Sequence, residues 1–410
     1  MKDEFEFLNS ATWLKYTQER YLSPDETKYR IQQQDWLPSD WTEIARKIVI
    51  NRKVGSIPLF MPCIDKKFWF FPSDSLTRKL NDIERLGLDL YNRINQQALF
   101  REAFFLNSTV EEAITSAIYE GAHSTRAQAQ QLIASGVKPK NKDEWMLLNN
   151  FKAMNWVQEH RAEPVSENLI LQLHRIVTEN TMDGDDANFS GKFRNGKVFI
   201  GPHEGISHAS IREAIAETIG LITANPRYIH PLIRGILVHY FIAYIHPFFD
   251  GNGRTARALF YFKAMKNNLD YIQLLSVSAY LKEHGKQYEK SFEKVVTNDY
   301  DVTYFIDFCL DSIHSALTAV SKKVDYLLRI NALRNKITLS ANQIGLLQRM
   351  ALHRFRTVSI EEYAKQIGMS REVARQELKA LTDAALVEES KSGKKLVYKI
   401  NKPKLESLLQ

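Results

Sequence analysis

The apolar run Ile236-Leu-Val-His-Tyr-Phe-Ile-Ala-Tyr-Ile245, stopped by His246-Pro247, constrains this chain more than any other stretch. It is too long for an ordinary core strand and reads as a buried helix. Pro247 ends it, because the residue before a proline is pushed out of the α region. Thr255-Ala-Arg-Ala-Leu-Phe-Tyr-Phe-Lys-Ala-Met265 then reads as a second helix, with Asn252 as its expected cap. The segment is therefore helix, loop, helix. Gly251 and Gly253 stand where backbone must approach something closely.

The loop between the helices is built to hold phosphate. Backbone amides at the start of the second helix lack partners, and the helix dipole favours an anion there. Arg254 and Arg257 are three apart, hence on one helical face, and can fork onto phosphate oxygens. Asp250 is a lone carboxylate beside that anion site, the usual way to hold a Mg²⁺ ion that keeps most of its waters. His246, at the loop entrance, is a base of near-neutral pKa able to take a hydroxyl proton. Each part alone has an ordinary structural reading: a helix stop, a turn, a solvated helix face. Their coincidence in one short loop points to attack of a hydroxyl on a nucleotide phosphate.

His246 to Arg257 resembles, at every specified position, the His-Pro-Phe-x-x-Gly-Asn-Gly-Arg-x-x-Arg signature of Fic-domain proteins. The resemblance implies AMP transfer from ATP, with Mg²⁺, to a Ser, Thr or Tyr hydroxyl of a target protein. It casts His246 as general base and Asp250 as metal ligand. Gly251, Asn252 and Gly253 become the nest for the α- and β-phosphates, and Arg254 and Arg257 the clamps on the β- and γ-phosphates. Phe248 becomes a core anchor. Gly253, where kinase-like relatives carry lysine, leaves room for a triphosphate tail.

Upstream, Ser108-Thr-Val-Glu-Glu-Ala-Ile-Thr-Ser-Ala-Ile-Tyr-Glu-Gly121 reads as a short helix. Ser108 with Glu111, or Thr109 with Glu112, would form its capping box, and Gly121 its C′ residue. Glu120 falls in the last turn, where the dipole's negative end repels a carboxylate, so a cationic partner outside the helix is expected. Ser116-Ala-Ile-Tyr-Glu-Gly121 resembles the inhibitory motif of Fic proteins that carry it on the N-terminal side. That resemblance implies a Glu120–Arg257 pair, formed by Ser116, Glu120 and Gly121 against the second signature arginine, that blocks productive γ-phosphate placement. The same glutamate could align a water for AMP removal.

Ser190-Gly-Lys-Phe-Arg-Asn-Gly-Lys-Val-Phe-Ile-Gly-Pro202 has a β-prone Val198-Phe-Ile200 and a hairpin turn signal at Asn195-Gly196. A lone hairpin in a helical chain needs a reason. The resemblance supplies one: a flap over 192–201 that docks the target segment by strand addition, with Val198, Phe199, Ile200 and Gly201 bordering the nucleotide. Tyr288 corresponds to the family's tyrosine segment over the adenine. The usual tyrosine pair is Tyr288-Glu289 here, so a core tyrosine is an equal alternative.

Further on, Ser359 to Gly368 reads as a capped helix and Arg371 to Asp383 as a second one. Leu386 to Ser390 and Leu396 to Ile400 then read as strands about a Lys391-Ser-Gly-Lys-Lys turn. This resembles a winged helix-turn-helix. Arg371, Arg375 and Lys379 would line its recognition helix, and Lys391, Lys394 and Lys395 its wing, for DNA or for a protein. Glu372 and Glu377 interrupt that basic face.

The fold class expected is thus mainly α: a Fic-type helical bundle with a β-hairpin flap, plus a winged helix-turn-helix domain. The expected divisions are an N-terminal extension (1–75), a helical region with the inhibitory helix (76–165), the Fic core (166–311), a linker helix (312–336) and the winged domain (337–410). At 410 residues two or three domains fit, and a net charge of +7 permits a nucleic-acid partner without demanding one. Cys63 and Cys309 form no metal or redox spacing, and no signal peptide or membrane-length run is read. A cytoplasmic setting is expected, and a homodimer is left open. The rival function is a DNA-binding regulator whose Fic site is vestigial or takes another nucleotide.

Overall fold

The structure is a computed structural model and describes residues 9–31, 41–200, 203–352, 357–392 and 395–409. Among them the chain is mainly α-helical. Its strands form antiparallel pairs: Ile57–Met61 with Lys66–Phe70, Phe199–Ile200 with His203–Glu204, and Val387–Ser392 with Lys395–Ile400. The chain divides into two compact units. One takes in the N-terminal segment up to Leu86 with Thr109–Ala316, and the other Gly87–Ser108 with Leu317–Gln410.

The two apolar helices form the centre of the first unit, as Pro231–Ile245 and Asn252–Lys266. In the former, Leu232, Ile233 and every residue from Gly235 to Ile242 are buried. Burying each such Leu, Ile or Phe contributes about 1.5–3 kcal/mol, which ties this pair together more firmly than local propensity could. Ile211–Thr223 packs on the first helix, and Lys142–Glu159 and Glu167–Thr178 on the second.

Three sequence-based boundaries move. Residues 1–75 are not a separate extension throughout, because the 57–70 hairpin belongs to the core of the first unit. Phe68 is fully buried with its ring edge-on to Tyr240, Phe241, Tyr244 and Tyr300. The Trp69 amide donates to the Tyr300 carbonyl at 3.2 Å, and the Trp69 carbonyl accepts from Val302 at 2.8 Å. Tyr21 also donates to buried Asp301 at 2.6 Å, while Arg52 stacks on Tyr21 and donates to Tyr304. Asp301 and Tyr304 are more than two hundred residues from Tyr21 and Arg52 in sequence, so no local pattern announces them.

The expected linker helix (312–336) is part of a longer one that starts earlier and ends sooner, Thr303–Ala332, whose first turns bury Phe305, Ile306, Leu310 and Ile313. The helix before the inhibitory motif starts at Arg101 and runs to Tyr119, so neither proposed capping box exists. Ser108 and Thr109 lie mid-helix. Glu112 points inward, where its buried carboxylate accepts from the Ser276 hydroxyl and the Ser278 amide, each at 3.0 Å.

In the second unit, Ile360–Ile367 carries the expected Ser359/Glu362 capping box and stops at left-handed Gly368. Ser370 caps Arg371–Asp383 by accepting from the Val373 amide at 3.3 Å. The 387–400 hairpin follows, with Val358 and Tyr398 exchanging backbone bonds at 2.9 and 2.8 Å. Of the lysines expected in a wing, Lys391 and Lys395 are exposed and Lys394 lies outside the described residues.

Candidate active site

The first central helix ends at His246, whose φ of 51° and ψ of 59° put it in the left-handed region. That turn swings the imidazole out of the helix and the chain into the loop. Nδ1 lies 3.2 Å from the Ala243 carbonyl, which can only accept. Nδ1 therefore carries the proton, and Nε2 keeps its lone pair. Burial draws the His246 pKa below its ordinary value, and the Ala243 bond opposes that only in part. A neutral imidazole with a free acceptor nitrogen results.

The loop then closes on itself. Asn252 does not cap the next helix. Gly251 is the N-cap, with φ 79°, and Asn252 is the first helical residue. The Asn252 side chain instead clasps Phe248, accepting from its amide at 3.0 Å and donating to its carbonyl at 2.8 Å. Phe248 is buried between His174 and Phe193. Asp250 accepts the Gly251 amide at 2.6 Å and Arg254 at 3.1 Å, with its side chain 42% exposed. The amides of Asn252, Gly253 and Arg254 start the helix with no acceptor inside it.

The two signature arginines are both buried, and their surroundings differ. Arg254 donates to the Val177 carbonyl at 2.7 Å and to Asp250, and its Nε has no partner. A guanidinium so committed stands behind the loop as its counter-charge. Arg257 donates to the Ser116 hydroxyl at 3.1 Å from Nε and 2.9 Å from Nη2, and to Glu120 at 2.9 Å. Burial works against its charge, but Glu120, Tyr288 and Glu112 more than offset that and hold it firmly cationic.

Ser116 and Glu120 thus converge on Arg257, and Gly121 closes the helix that carries them. Glu120 follows the last helical residue, Tyr119. Gly121, at φ 95°, donates to Ile118 at 3.0 Å, and Ala122 donates to Ala117 at 3.0 Å. That pair of bonds is a Schellman closure with Gly121 as its C′ residue. The closure aims the Glu120 carboxylate across the second central helix. A Cβ on Gly253 would collide with Glu120 Oε1, so the glutamate fills the space that this glycine leaves open.

The flap differs from its sequence reading in register. Phe199 and Ile200 pair with Glu204 and His203, so the hairpin turn is not at Asn195-Gly196. The Gly196 carbonyl is instead taken by Arg194 at 2.7 Å. Val198 accepts the Gly205 amide at 3.0 Å, Phe199 is exposed, and Gly201 lies outside the described residues. Tyr288 takes the core alternative. Its hydroxyl is 3.0 Å from His239 Nε2, and its buried ring lies among Tyr119, Phe292, Phe305 and Phe308.

Two residues that sequence reasoning missed support the loop. Buried Arg194 donates to the His246 carbonyl at 2.7 Å and to the Gly196 and Ile206 carbonyls at 2.7 Å each. His174 stacks on Phe248 at 3.6 Å and lies 2.9 Å from the Asp250 carbonyl. His174 sits in a segment with no motif of its own, and Arg194 in the hairpin segment, whose turn signal says nothing of it. A buried cation amid carbonyls is visible only in three dimensions.

Residues 164–263 match the profile of the Fic/DOC family. The chain is 24% identical over 202 residues to a protein adenylyltransferase Fic of Nematostella vectensis, covering 44% of this chain and 46% of that protein. It is 32% identical over 103 residues to protein adenylyltransferase fic-1 of Caenorhabditis elegans, covering 25% of this chain and 19% of that one. The chain thus spans less than half the length of these relatives. Among solved structures, a Fic family protein from Desulfovibrio desulfuricans superposes with a TM-score of 0.53 at 18% identity, over 83% of this chain and 97% of that one. Fic-1 from C. elegans superposes with a TM-score of 0.50 at 18% identity, over 73% and 80%. Central helix pair, loop and profile agree: residues 164–263 are similar to the Fic/DOC family domain, within a mainly α, Fic-type fold.

Proposed function

We propose that the chain is a protein adenylyltransferase whose own Glu120 holds it off. The Glu120–Arg257 pair over Gly253 carries the reading, because one carboxylate occupies the arginine and the space that a triphosphate tail would need. His246 Nε2 would take the proton of a target hydroxyl as its oxygen bonds to the α-phosphorus of ATP. The bond from that phosphorus to the bridging oxygen breaks, and pyrophosphate leaves. The free amides of Asn252, Gly253 and Arg254, with the helix dipole behind them, would receive phosphate oxygens. Arg257, once released, would receive the far end of the chain of phosphates.

Asp250 suits Mg²⁺. It is a single, partly exposed carboxylate, and among the described residues no cluster of three metal-binding side chains exists. That matches an ion that binds through one or two carboxylates and substrate phosphates. Bound there, the ion would neutralise phosphate charge. The relatives' names include protein adenylyltransferase, and the flap at 192–201 is the proposed seat of the target segment.

In the C-terminal module, Arg371 is paired with Glu361 and Arg375 with Glu372, which favours a protein over duplex DNA as its partner. No helix among the described residues is long and apolar enough to cross a membrane. Glu120→Gly is expected to raise incorporation of labelled AMP from ATP by about tenfold or more, within the range of ordinary coupling energies. Incorporation equal to that of the unaltered protein would sink the inhibitory assignment.

A further inference from the structure

His174 sits in the helix Glu167–Thr178, away from every signature motif, and is fully buried. Its two ring nitrogens are both engaged. The Gly191 amide donates to Nδ1 at 3.0 Å, so Nδ1 is an acceptor. Nε2 must then carry the proton, and it donates to the Asp250 carbonyl at 2.9 Å. The ring lies parallel to Phe248, 3.6 Å away and 5° from coplanar. One side chain thus fixes three things: the backbone of the proposed metal carboxylate, the anchor of the signature loop, and the segment that leads into the flap. Thr178, one turn on, donates to the His174 carbonyl at 2.7 Å, and its methyl would crowd a Cβ on Gly251. The ring has little freedom to turn.

We propose that His174 is a positioning residue that ties the target-docking flap to the metal-binding loop, as a neutral imidazole in its Nε2–H form. The inference rests on the transferase reading above for its activity readouts, but its binding and exchange readouts do not need transfer. The Nε2 bond holds the Asp250 carbonyl, so the carboxylate is aimed outward. The Nδ1 bond holds Gly191, so the flap leaves the core at a fixed point. Outer partners of metal ligands act in this way, and their loss typically costs ten- to a hundredfold in metal affinity.

Two replacements separate the two bonds, because a glutamine amide reaches the Nε2 position and an asparagine amide the Nδ1 position. Both lose the stacking on Phe248, so packing loss is common to the pair. In the Glu120→Gly protein, His174→Asn keeps an acceptor for Gly191 and loses the Asp250 bond. The Mg²⁺ concentration that half-saturates ATP binding, followed by calorimetry, is expected to rise about tenfold, with kcat lowered and target KM unchanged. His174→Gln keeps the Asp250 bond. It should leave the Mg²⁺ requirement within twofold of the parent, speed amide exchange over residues 191–200, and raise target KM. Equal changes in both variants, in the Mg²⁺ titration and in flap exchange alike, would overturn the proposal. So would no change in either. A parent protein without transfer activity would count against the transferase reading, while the Mg²⁺ titration and flap exchange would still decide the role of His174.

Discussion

The signature loop and the turn at Gly368 are built alike from the sequence: each joins two helices, and each is followed within a few residues by arginines. Their charges are used in opposite ways. Arg254 and Arg257 are buried, each held by a carboxylate and by backbone or hydroxyl oxygens from another helix. Arg371 and Arg375 stand in water, with side chains 72% and 61% exposed, and pair with acids of the same helix-turn-helix. A buried guanidinium cannot lose its partners cheaply, whereas an exposed one exchanges them for water at little cost. Charge in the first region therefore sets geometry, and in the second it decorates a surface.

The sharpest consequence concerns the base that the loop presents. In the Glu120→Gly background, His246→Ala should lower AMP transfer by roughly a hundred- to ten-thousandfold without changing ATP binding. Labelling with radioactive ATP measures it, and labelling that survived would remove the assigned base. The next effect is on stability. Arg254→Met should cost about 3 kcal/mol, because the Val177 carbonyl is left buried without a donor and Asp250 loses its counter-charge. Urea unfolding would show it, and a shift below about 0.5 kcal/mol would mean that burial does not set the importance of these arginines.

A third effect comes from protons. Burial, with Arg257 nearby, holds His239 down at about 3. The unfolded chain takes up that proton near the ordinary value of 6.5. Stability is therefore full above pH 6.5 and falls as the pH drops, by about 2 kcal/mol at pH 5 from this group. Asp301 works the other way: burial raises it to about 6, so it gains stability as the pH falls through that value. His239→Gln keeps a partner for Tyr288 and removes the proton uptake. Melting temperatures between pH 7 and 5 should then fall less steeply than in the unaltered protein, and an unchanged slope would refute the account.

The sequence was most informative where chemistry and local order coincide. The helix stop at His246, the Gly121 closure and the Ser359 capping box are all local, and each is found where its residues predicted. Asn252 shows the limit. Its residue type fits a cap, but the closed loop offers it both backbone groups of Phe248, and that tertiary option wins. Glu112 shows it again, since a pattern of Thr and Glu cannot tell a helix start from a buried carboxylate awaiting two serines far along the chain. Tyr288 and the 57–70 hairpin depend on aromatic partners distributed over the whole first unit. His174 and Arg194 carry no motif because their partners are backbone carbonyls and amides, which every residue has.

The smallest expected effect tests the other half of the comparison. Arg371→Ala removes the 3.0 Å pair with Glu361, in which both side chains are more than half exposed. Water screens such a pair and takes over its hydrogen bonds, so the loss should be no more than about 0.5 kcal/mol in urea unfolding. A larger loss would show that the turn at Gly368 depends on its charges as the signature loop does. The same variant sharpens the choice of partner. If the helix served duplex DNA, removing one phosphate contact would lower the slope of log affinity against log salt by about one. With Glu361 and Glu372 adding negative charge beside these arginines, the expected result is weak duplex binding whose salt dependence Arg371→Ala leaves unchanged.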